Sequence, residues 1–249
     1  MDPDRRAGRD ALIAWAVVAV LVAGLVRINI TLPAIGHLGS ALVAVLFLYA
    51  PVIAAWKRHE DLDAYGFHAE PIRRGLVTAG TSIAVIFPIF AAVYIAFYAV
   101  ACDSQWLAHL VPRNLCSRWG GLGGLHAPAL AWNPFAKDSF SEFCLVQLLV
   151  VALPEELFFR GFLLKLLEQR FPPKRRVLGG GIGLALVLSS LAFALVHLPK
   201  EGDPRALAVF FPGLLFGWMR SATGSVLAGT ITHGASNILI RVLELSVLR

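Results

Sequence analysis

Seven apolar runs dominate this sequence, and they constrain its fold more than any other feature. A membrane-spanning helix needs about 20 mainly apolar residues, because the hydrocarbon core of a bilayer is about 30 Å thick. The chain is 57% hydrophobic and 15% charged, whereas soluble domains hold about 25% charged residues. The sequence therefore predicts an all-α, polytopic membrane helix bundle of about seven or eight transmembrane helices. The runs are Ala11–Val26, Leu38–Trp56, Leu76–Ala101, Phe140–Leu164, Val177–Leu198, Ala206–Met219 and Ser225–Leu243.

Charged residues between the runs predict the orientation of the chain. Loops on the side of the N-terminus hold 13 Lys and Arg residues, and those on the opposite side hold 8. Because positive charge favours the cytoplasmic side, we expect an integral protein of a bacterial inner membrane with a cytoplasmic N-terminus and a retained first span. A further span between Trp106 and Trp132 would reverse everything after it. The net charge of +6 follows from these clusters and gives no reason to expect a nucleic-acid partner.

The predicted organisation is one integral membrane domain in two parts. Residues 1–137 hold the first spans and a long loop outside the membrane, and residues 138–249 hold the core that contains the candidate functional residues. Cys102 and Cys116 both lie in the long loop, where an oxidising compartment would permit a disulfide. Three free cysteines, including Cys144, are the alternative.

Three charged side chains interrupt the fourth run. Glu155, Glu156 and Arg160 lie where lipid normally demands Leu or Val, and one such charge at a bilayer centre costs about 2.5–3.5 kcal/mol. Glu156 and Arg160 are four residues apart and can pair on one helical face. Glu155 points about 100° away from Glu156, which leaves its carboxylate free for chemistry. A structural ion pair with a spare protonated acid is the alternative.

Two later runs carry further polar residues at helical spacing. Phe193 and His197 are four residues apart, as are His233 and Asn237, so each pair shares a helical face. Together with Glu155 they provide a base, a partner for that base and donors for an oxyanion. This set suits peptide-bond hydrolysis with water as nucleophile. The sequence contains no His-Glu-x-x-His, Gly-x-Ser-x-Gly or Gly-x-Gly-Asp motif.

The sequence does contain three other motifs: Glu155-Glu156-x-x-x-Arg160, Phe193-x-x-x-His197 and His233-x-x-x-Asn237. In this order they resemble the signature of the CPBP family, which includes the CAAX prenyl endopeptidases and the bacterial Abi proteins. The resemblance covers roughly residues 140–243, and it implies a glutamic-type intramembrane protease. By this resemblance Glu155 is the general base, His197 orients the water or Glu155, and His233 and Asn237 stabilise the oxyanion. The supporting residues are Glu156, Arg160 and Phe193.

The resemblance leaves the cofactor and the substrate open. We favour a site without metal; in the alternative, Glu155, His197 and His233 bind Zn²⁺. The expected partners are the lipid bilayer and a membrane-anchored substrate, either lipidated or cut near its C-terminal tail. The alternative function is non-hydrolytic: an immunity or scaffold factor, or a transporter with a proton relay. A transporter should show polar residues in both halves, whereas here they cluster in the second half.

Overall fold

The computed structural model describes residues 3–32, 36–104, 116–133 and 139–248. Seven helices form this part of the chain, which confirms the predicted all-α bundle. Six of them are α1 Pro3–Leu25, α2 Leu38–Arg58, α3 Ile72–Asp103, α5 Leu184–Glu201, α6 Phe210–Thr223 and α7 Leu227–Val247. Five segments follow one another without a break and together form α4: Phe140–Leu145, Val146–Ala152, Leu153–Glu156, Leu157–Leu163 and Leu164–Arg170.

Short connections join these helices. Strands β1 Thr31–Leu32 and β2 Gly36–His37 pair antiparallel between α1 and α2. Strands β3 Arg175–Val177 and β4 Gly180–Ile182 pair antiparallel between α4 and α5. Turns of 3-10 helix occur at Leu62–Tyr65, Leu122–Gly124 and Pro204–Val209. The described part of the predicted long loop thus contains only one such turn.

Five helical stretches are long and apolar enough to cross a membrane within the described residues: Asp4–Leu25, Leu38–Arg58, Ile72–Asp103, Leu184–Glu201 and Pro204–Thr223. In α3 only 6% of the most apolar window is buried inside the protein. A helix that exposes so much apolar surface is stable when lipid surrounds it. The chain is therefore an integral membrane protein.

The prediction that the fifth span begins at Val177 is wrong. The glycine run Gly179–Gly181 lies in a β-hairpin, and helix α5 begins only at Leu184. A β-carbon on Gly180 would lie 2.3 Å from the Trp218 ring, and one on Gly181 would lie 2.8 Å from Pro173. These glycines therefore let a hairpin approach α6 rather than let two helices pack.

Helix α4 contains two π-helical segments, on either side of Leu153–Glu156. Proline inside a helix lacks an N–H and clashes with the preceding turn. Pro154 lies two residues after the first π segment, which ends at Ala152, and a wider turn of this kind relieves such a conflict. The second π segment, Leu157–Leu163, contains Arg160.

The chain divides into two compact units. Residues 1–79 and 148–233 form the first unit, and residues 80–147 and 234–249 form the second. In the first unit α1 and α2 pack on α4, and α5 packs on α6. Its core includes the fully buried side chains of Phe158, Phe159 and Phe193. The predicted division of the chain into residues 1–137 and a functional core of residues 138–249 stays a prediction.

A disulfide between Cys102 and Cys116 stabilises the second unit, and Cys144 is free. Next to it, the Trp119 indole donates a hydrogen bond to the Asp103 carboxylate at 2.8 Å. The structure therefore contains the disulfide, and the alternative of three free cysteines is wrong. The predicted further span between Trp106 and Trp132 falls partly on residues 105–115, which lie outside the described residues.

Candidate active site

Helix α4 contributes two buried carboxylates and a buried guanidinium. Glu155, Glu156 and Arg160 are 6%, 0% and 1% exposed. The Arg160 Nη1 atom lies 3.1 Å from Glu156 Oε1, so the predicted pair is present. The Glu155 carboxylate does not take part in this short contact.

Aromatic rings surround the Arg160 guanidinium. Its central carbon lies 4.0 Å from the centre of the Phe193 ring and 5.4 Å from that of Phe216. Contacts of this kind stabilise a cation by about 2 kcal/mol when it is desolvated. Phe193 also meets the His197 ring at 4.6 Å between centroids. The predicted support residue therefore contacts both the guanidinium and a candidate catalytic side chain.

Helix α7 brings His233 against both carboxylates. Its Nδ1 atom lies 3.0 Å from Glu156 Oε1, and its Nε2 atom lies 3.8 Å from Glu155 Oε2. The ring stacks on Phe216 at 5.0 Å. A carboxylate accepts at Nδ1, so this nitrogen carries the hydrogen and Nε2 faces Glu155. Glu156 therefore also orients His233, a role that sequence reasoning missed because it considered α4 alone.

A glycine on α7 permits this approach. A β-carbon on Gly229 would lie 2.8 Å from Glu156 Oε2, so a larger residue would push the carboxylate away. Gly229 precedes His233 by four residues and shares its helical face. That spacing is the sequence signal by which the contact could have been found.

Helix α5 places His197 on the other side of Glu155. The His197 Nδ1 atom donates to the Phe193 carbonyl at 2.8 Å, since a carbonyl only accepts. Its Nε2 atom lies 4.0 Å from Glu155 Oε2. The predicted fifth span ended at Leu198, one residue after His197, whereas helix α5 continues to Glu201 and places His197 one turn before its end.

Asn237 lies one turn beyond His233 on α7, in the second unit. Its side-chain nitrogen donates to Gln147 Oε1 at 2.9 Å. Gln147 was missed by sequence reasoning, although it is a polar residue in the apolar run that carries Glu155. The role of Asn237 in catalysis stays a prediction.

The donor set was also tested for a metal site. Both imidazoles present Nε2 while Nδ1 is held by an acceptor, as in many metal-binding histidines. In the described residues, however, no three His, Cys, Asp or Glu side chains are arranged to hold a metal ion. The predicted mechanism without metal stays a prediction.

Comparison with known proteins identifies the class. Residues 138–239 match the family model described as type II CAAX prenyl endopeptidase, Rce1-like. The match spans all three motifs, and it supports the predicted resemblance of this part of the chain to the CPBP/CAAX protease family. The family so described consists of membrane proteases that act on membrane-associated proteins. No curated protein and no solved structure matches the chain.

Proposed function

We propose that this protein is a glutamic-type intramembrane endopeptidase in which Glu155 activates the attacking water. The observation that supports this most is the arrangement of Glu155 Oε2, which lies 4.0 Å from His197 Nε2 and 3.8 Å from His233 Nε2. These separations exceed direct hydrogen bonds and suit one bridging water. A water there can donate one proton to Glu155 and the other to an imidazole.

The proposed mechanism gives each group a separate task. Glu155 takes the proton from water as the oxygen attacks the peptide carbonyl, and it later gives the proton to the leaving amine. His197 is tethered through Nδ1 and holds the water. Asn237 would donate to the oxyanion of the tetrahedral intermediate, as its position one turn from His233 suggests.

Charge balance supports a separate task for His233. Glu155, Glu156 and Arg160 together carry one excess negative charge when both acids are ionised, and buried charges need partners. His233 lies next to this charge: its Nδ1 atom is held by Glu156 Oε1 at 3.0 Å, and its Nε2 atom lies 3.8 Å from Glu155 Oε2. The ring is therefore oriented beside the proposed water, where it would help to stabilise the developing oxyanion.

The proposed substrate is a membrane-anchored protein cut near a C-terminal tail, lipidated or not. The family description names a prenyl endopeptidase, which supports a prenylated chain as the first candidate. The proposed location is a bacterial inner membrane with a cytoplasmic N-terminus, and the disulfide at the end of α3 supports this orientation.

Proteomics of C-terminal peptides in membranes tests the proposal. Cells with the wild type, with Glu155→Gln and with Glu142→Gln are compared, because Glu142 is an exposed acid at the start of the same helix. We expect the cleaved termini to disappear in Glu155→Gln and to persist in Glu142→Gln. Acid–base catalysis contributes about 10²–10⁴-fold, so the loss should be nearly complete.

Purified, folded Glu155→Gln must retain the circular dichroism and thermal midpoint of the wild type, so that the loss is one of chemistry. Identical termini in all three strains would contradict the protease mechanism and favour the non-hydrolytic alternative. A lost cleavage in Glu142→Gln as well would point to a general effect on the helix.

A further inference from the structure

The hairpin between α4 and α5 ends in a strained apolar turn. Val177 pairs with Gly180, which leaves Leu178 and Gly179 as a two-residue loop. Their φ angles are 49° and 86°, and positive φ at both central positions defines a type I′ turn. Asn-Gly is the preferred sequence there, while a bulky residue such as Leu is disfavoured.

Leu178 is nevertheless presented to the surroundings rather than to the core. It is 85% exposed, and its neighbour Val177 is 48% exposed. An apolar side chain kept in a strained conformation without intramolecular packing suggests a function outside the chain. Its partner must be apolar, at least at the tip.

Basic side chains flank this tip. Lys174, Arg175 and Arg176 are all exposed, and Arg176 Nη1 donates to the Gly179 carbonyl at 3.2 Å. The segment from Arg170 to Ile182 contains four basic residues and no acidic residue. The partner must therefore carry negative charge next to its apolar part.

Helix α6 holds the hairpin in place. The Trp218 indole donates to the Val177 carbonyl at 2.8 Å, and the Gly181 amide donates to Ser221 Oγ at 2.8 Å. The close contact of Gly180 with the Trp218 ring adds to this attachment. Leu178 therefore has a fixed position on the first unit.

We propose that this hairpin is an interfacial anchor that binds anionic phospholipid. Leu178 and Val177 insert into the leaflet, and Lys174, Arg175 and Arg176 contact the phosphates. The hairpin directly precedes α5, which is long and apolar enough to cross a membrane, and its tip is thereby near the head groups, where apolar and anionic chemistry meet. Trp218, which carries the hairpin, is a residue type enriched at that depth. With a cytoplasmic N-terminus the leaflet is the cytoplasmic one.

Site-directed spin labelling tests the insertion. A nitroxide is attached to Leu178→Cys in a Cys144→Ala background, and Leu122→Cys provides an exposed control that is 58% accessible in the wild type. The protein is placed in nanodiscs of phosphatidylcholine alone or with about 30% phosphatidylglycerol, an anionic lipid that gives the membrane a negative surface potential. Collisions with oxygen and with a water-soluble nickel chelate report the depth.

We expect the label at position 178 to favour oxygen in the anionic nanodiscs and to become more accessible to nickel in the neutral ones. Arg175→Gln and Arg176→Gln should each weaken anionic-lipid binding about fivefold, while Arg27→Gln, an exposed arginine on another loop, should not. A label equally open to nickel in both lipids overturns the proposal. A membrane-buried label that ignores lipid charge and both arginine variants overturns it too.

Leu178→Asn separates strain from function. Asn suits the type I′ turn, so the variant should unfold in detergent at the same or a higher temperature than the wild type. The stabilisation that phosphatidylglycerol gives to the wild type should be reduced in the variant. A variant that gains as much from phosphatidylglycerol as the wild type contradicts an apolar anchor, and capture of an acidic peptide instead would assign the surface to a protein.

Discussion

At the scale of single residues, Glu156 links the buried ion pair to a candidate catalytic ring. One oxygen forms an ion pair with the Arg160 guanidinium at 3.1 Å and accepts a hydrogen bond from the His233 ring at 3.0 Å. An ion pair that only stabilised the fold would be independent of the candidate catalytic histidines. Here the pair is connected to a ring that faces Glu155, so a change in Glu156 alters both stability and the orientation of His233. We therefore expect Glu156→Gln to impair cleavage more than it would if Glu156 paired only with Arg160.

Arg160→Ala should destabilise the protein strongly. It leaves Glu156 buried without its guanidinium, and breaking a buried pair costs roughly 3–5 kcal/mol. The measurement is the free energy of unfolding of purified variants in one detergent. Arg241→Ala is the matched control, because its pair with Glu244 is about half exposed and should contribute less than about 1 kcal/mol. Equal losses in the two variants would show that the buried pair has no special weight.

At the scale of elements, helix α4 owes its position to close contacts with the connection between α2 and α3. A β-carbon on Gly161 would lie 2.6 Å from the Tyr65 carbonyl oxygen, which is a backbone atom and cannot rotate away. Tyr65 itself is fully buried and meets the Phe162 ring at 5.6 Å. A glycine in the second π segment is therefore required by this contact.

Gly161→Ala should lower the free energy of unfolding by about 1–3 kcal/mol, because the backbone must move to accept the methyl group. Gly80→Ala serves as control, since nothing lies within 4 Å of its β-carbon position, and alanine favours helix by up to about 1 kcal/mol. The sign of the change should thus differ between the two variants. A stabilised Gly161→Ala protein would contradict the close contact between Gly161 and the Tyr65 carbonyl.

The connection between α2 and α3 is also held by an ion pair. The Glu60 carboxylate accepts from Lys165 Nζ at 2.7 Å and from Arg58 Nε at 3.3 Å. Burial raises the pKa of the Glu60 carboxyl, but these contacts outweigh it and lower the pKa from 4.5 to about 2. Because the folded pKa is depressed, the contribution to stability is complete above pH 4.5 and is lost as the pH falls towards 2.

Glu60→Gln should therefore unfold at a lower temperature than the wild type at neutral pH, by an amount equivalent to about 1 kcal/mol or less. Thermal midpoints of both proteins are measured between pH 7 and about pH 2, the range in which carboxylates titrate. The difference should shrink below pH 4.5 and vanish near pH 2. A difference that persists unchanged at the lowest pH would mean that Glu60 acts by packing.

At the scale of the whole molecule, membrane orientation decides which compartment each loop meets. Helix α3 separates Lys57 from Leu122 in the chain, and both side chains are exposed. If α3 crosses the bilayer once, these two positions lie on opposite sides. The proposed cytoplasmic N-terminus places Leu122 outside, on the side where the disulfide is stable.

Cysteine labelling in intact cells checks this orientation. In a Cys144→Ala background, we expect Leu122→Cys to react with a membrane-impermeant maleimide, and Lys57→Cys to react only after permeabilisation. The native disulfide does not react. The reverse pattern would invert the proposed topology, and reaction of both positions in intact cells would show that α3 does not cross.

Most of what the sequence alone determined concerns single segments. The apolar runs predicted the helices because every backbone group in lipid must find its partner within the same segment. The charged and polar residues in those runs predicted Glu155, His197 and His233 as site residues, since such residues are costly there. The pair of Glu156 and Arg160 was also predictable, because both members lie on one helix.

Tertiary structure alone decided what depends on residues far apart in the chain. The contact of His233 with Glu156 joins α7 to α4, and the bond from Asn237 to Gln147 joins residues 90 positions apart. The apolar segment from Val177 was predicted as the start of the fifth span. Instead it lies in a hairpin, where the Trp218 ring on α6 leaves no room for a side chain at Gly180. One-dimensional periodicity has no information about such neighbours, because they meet only when helices pack.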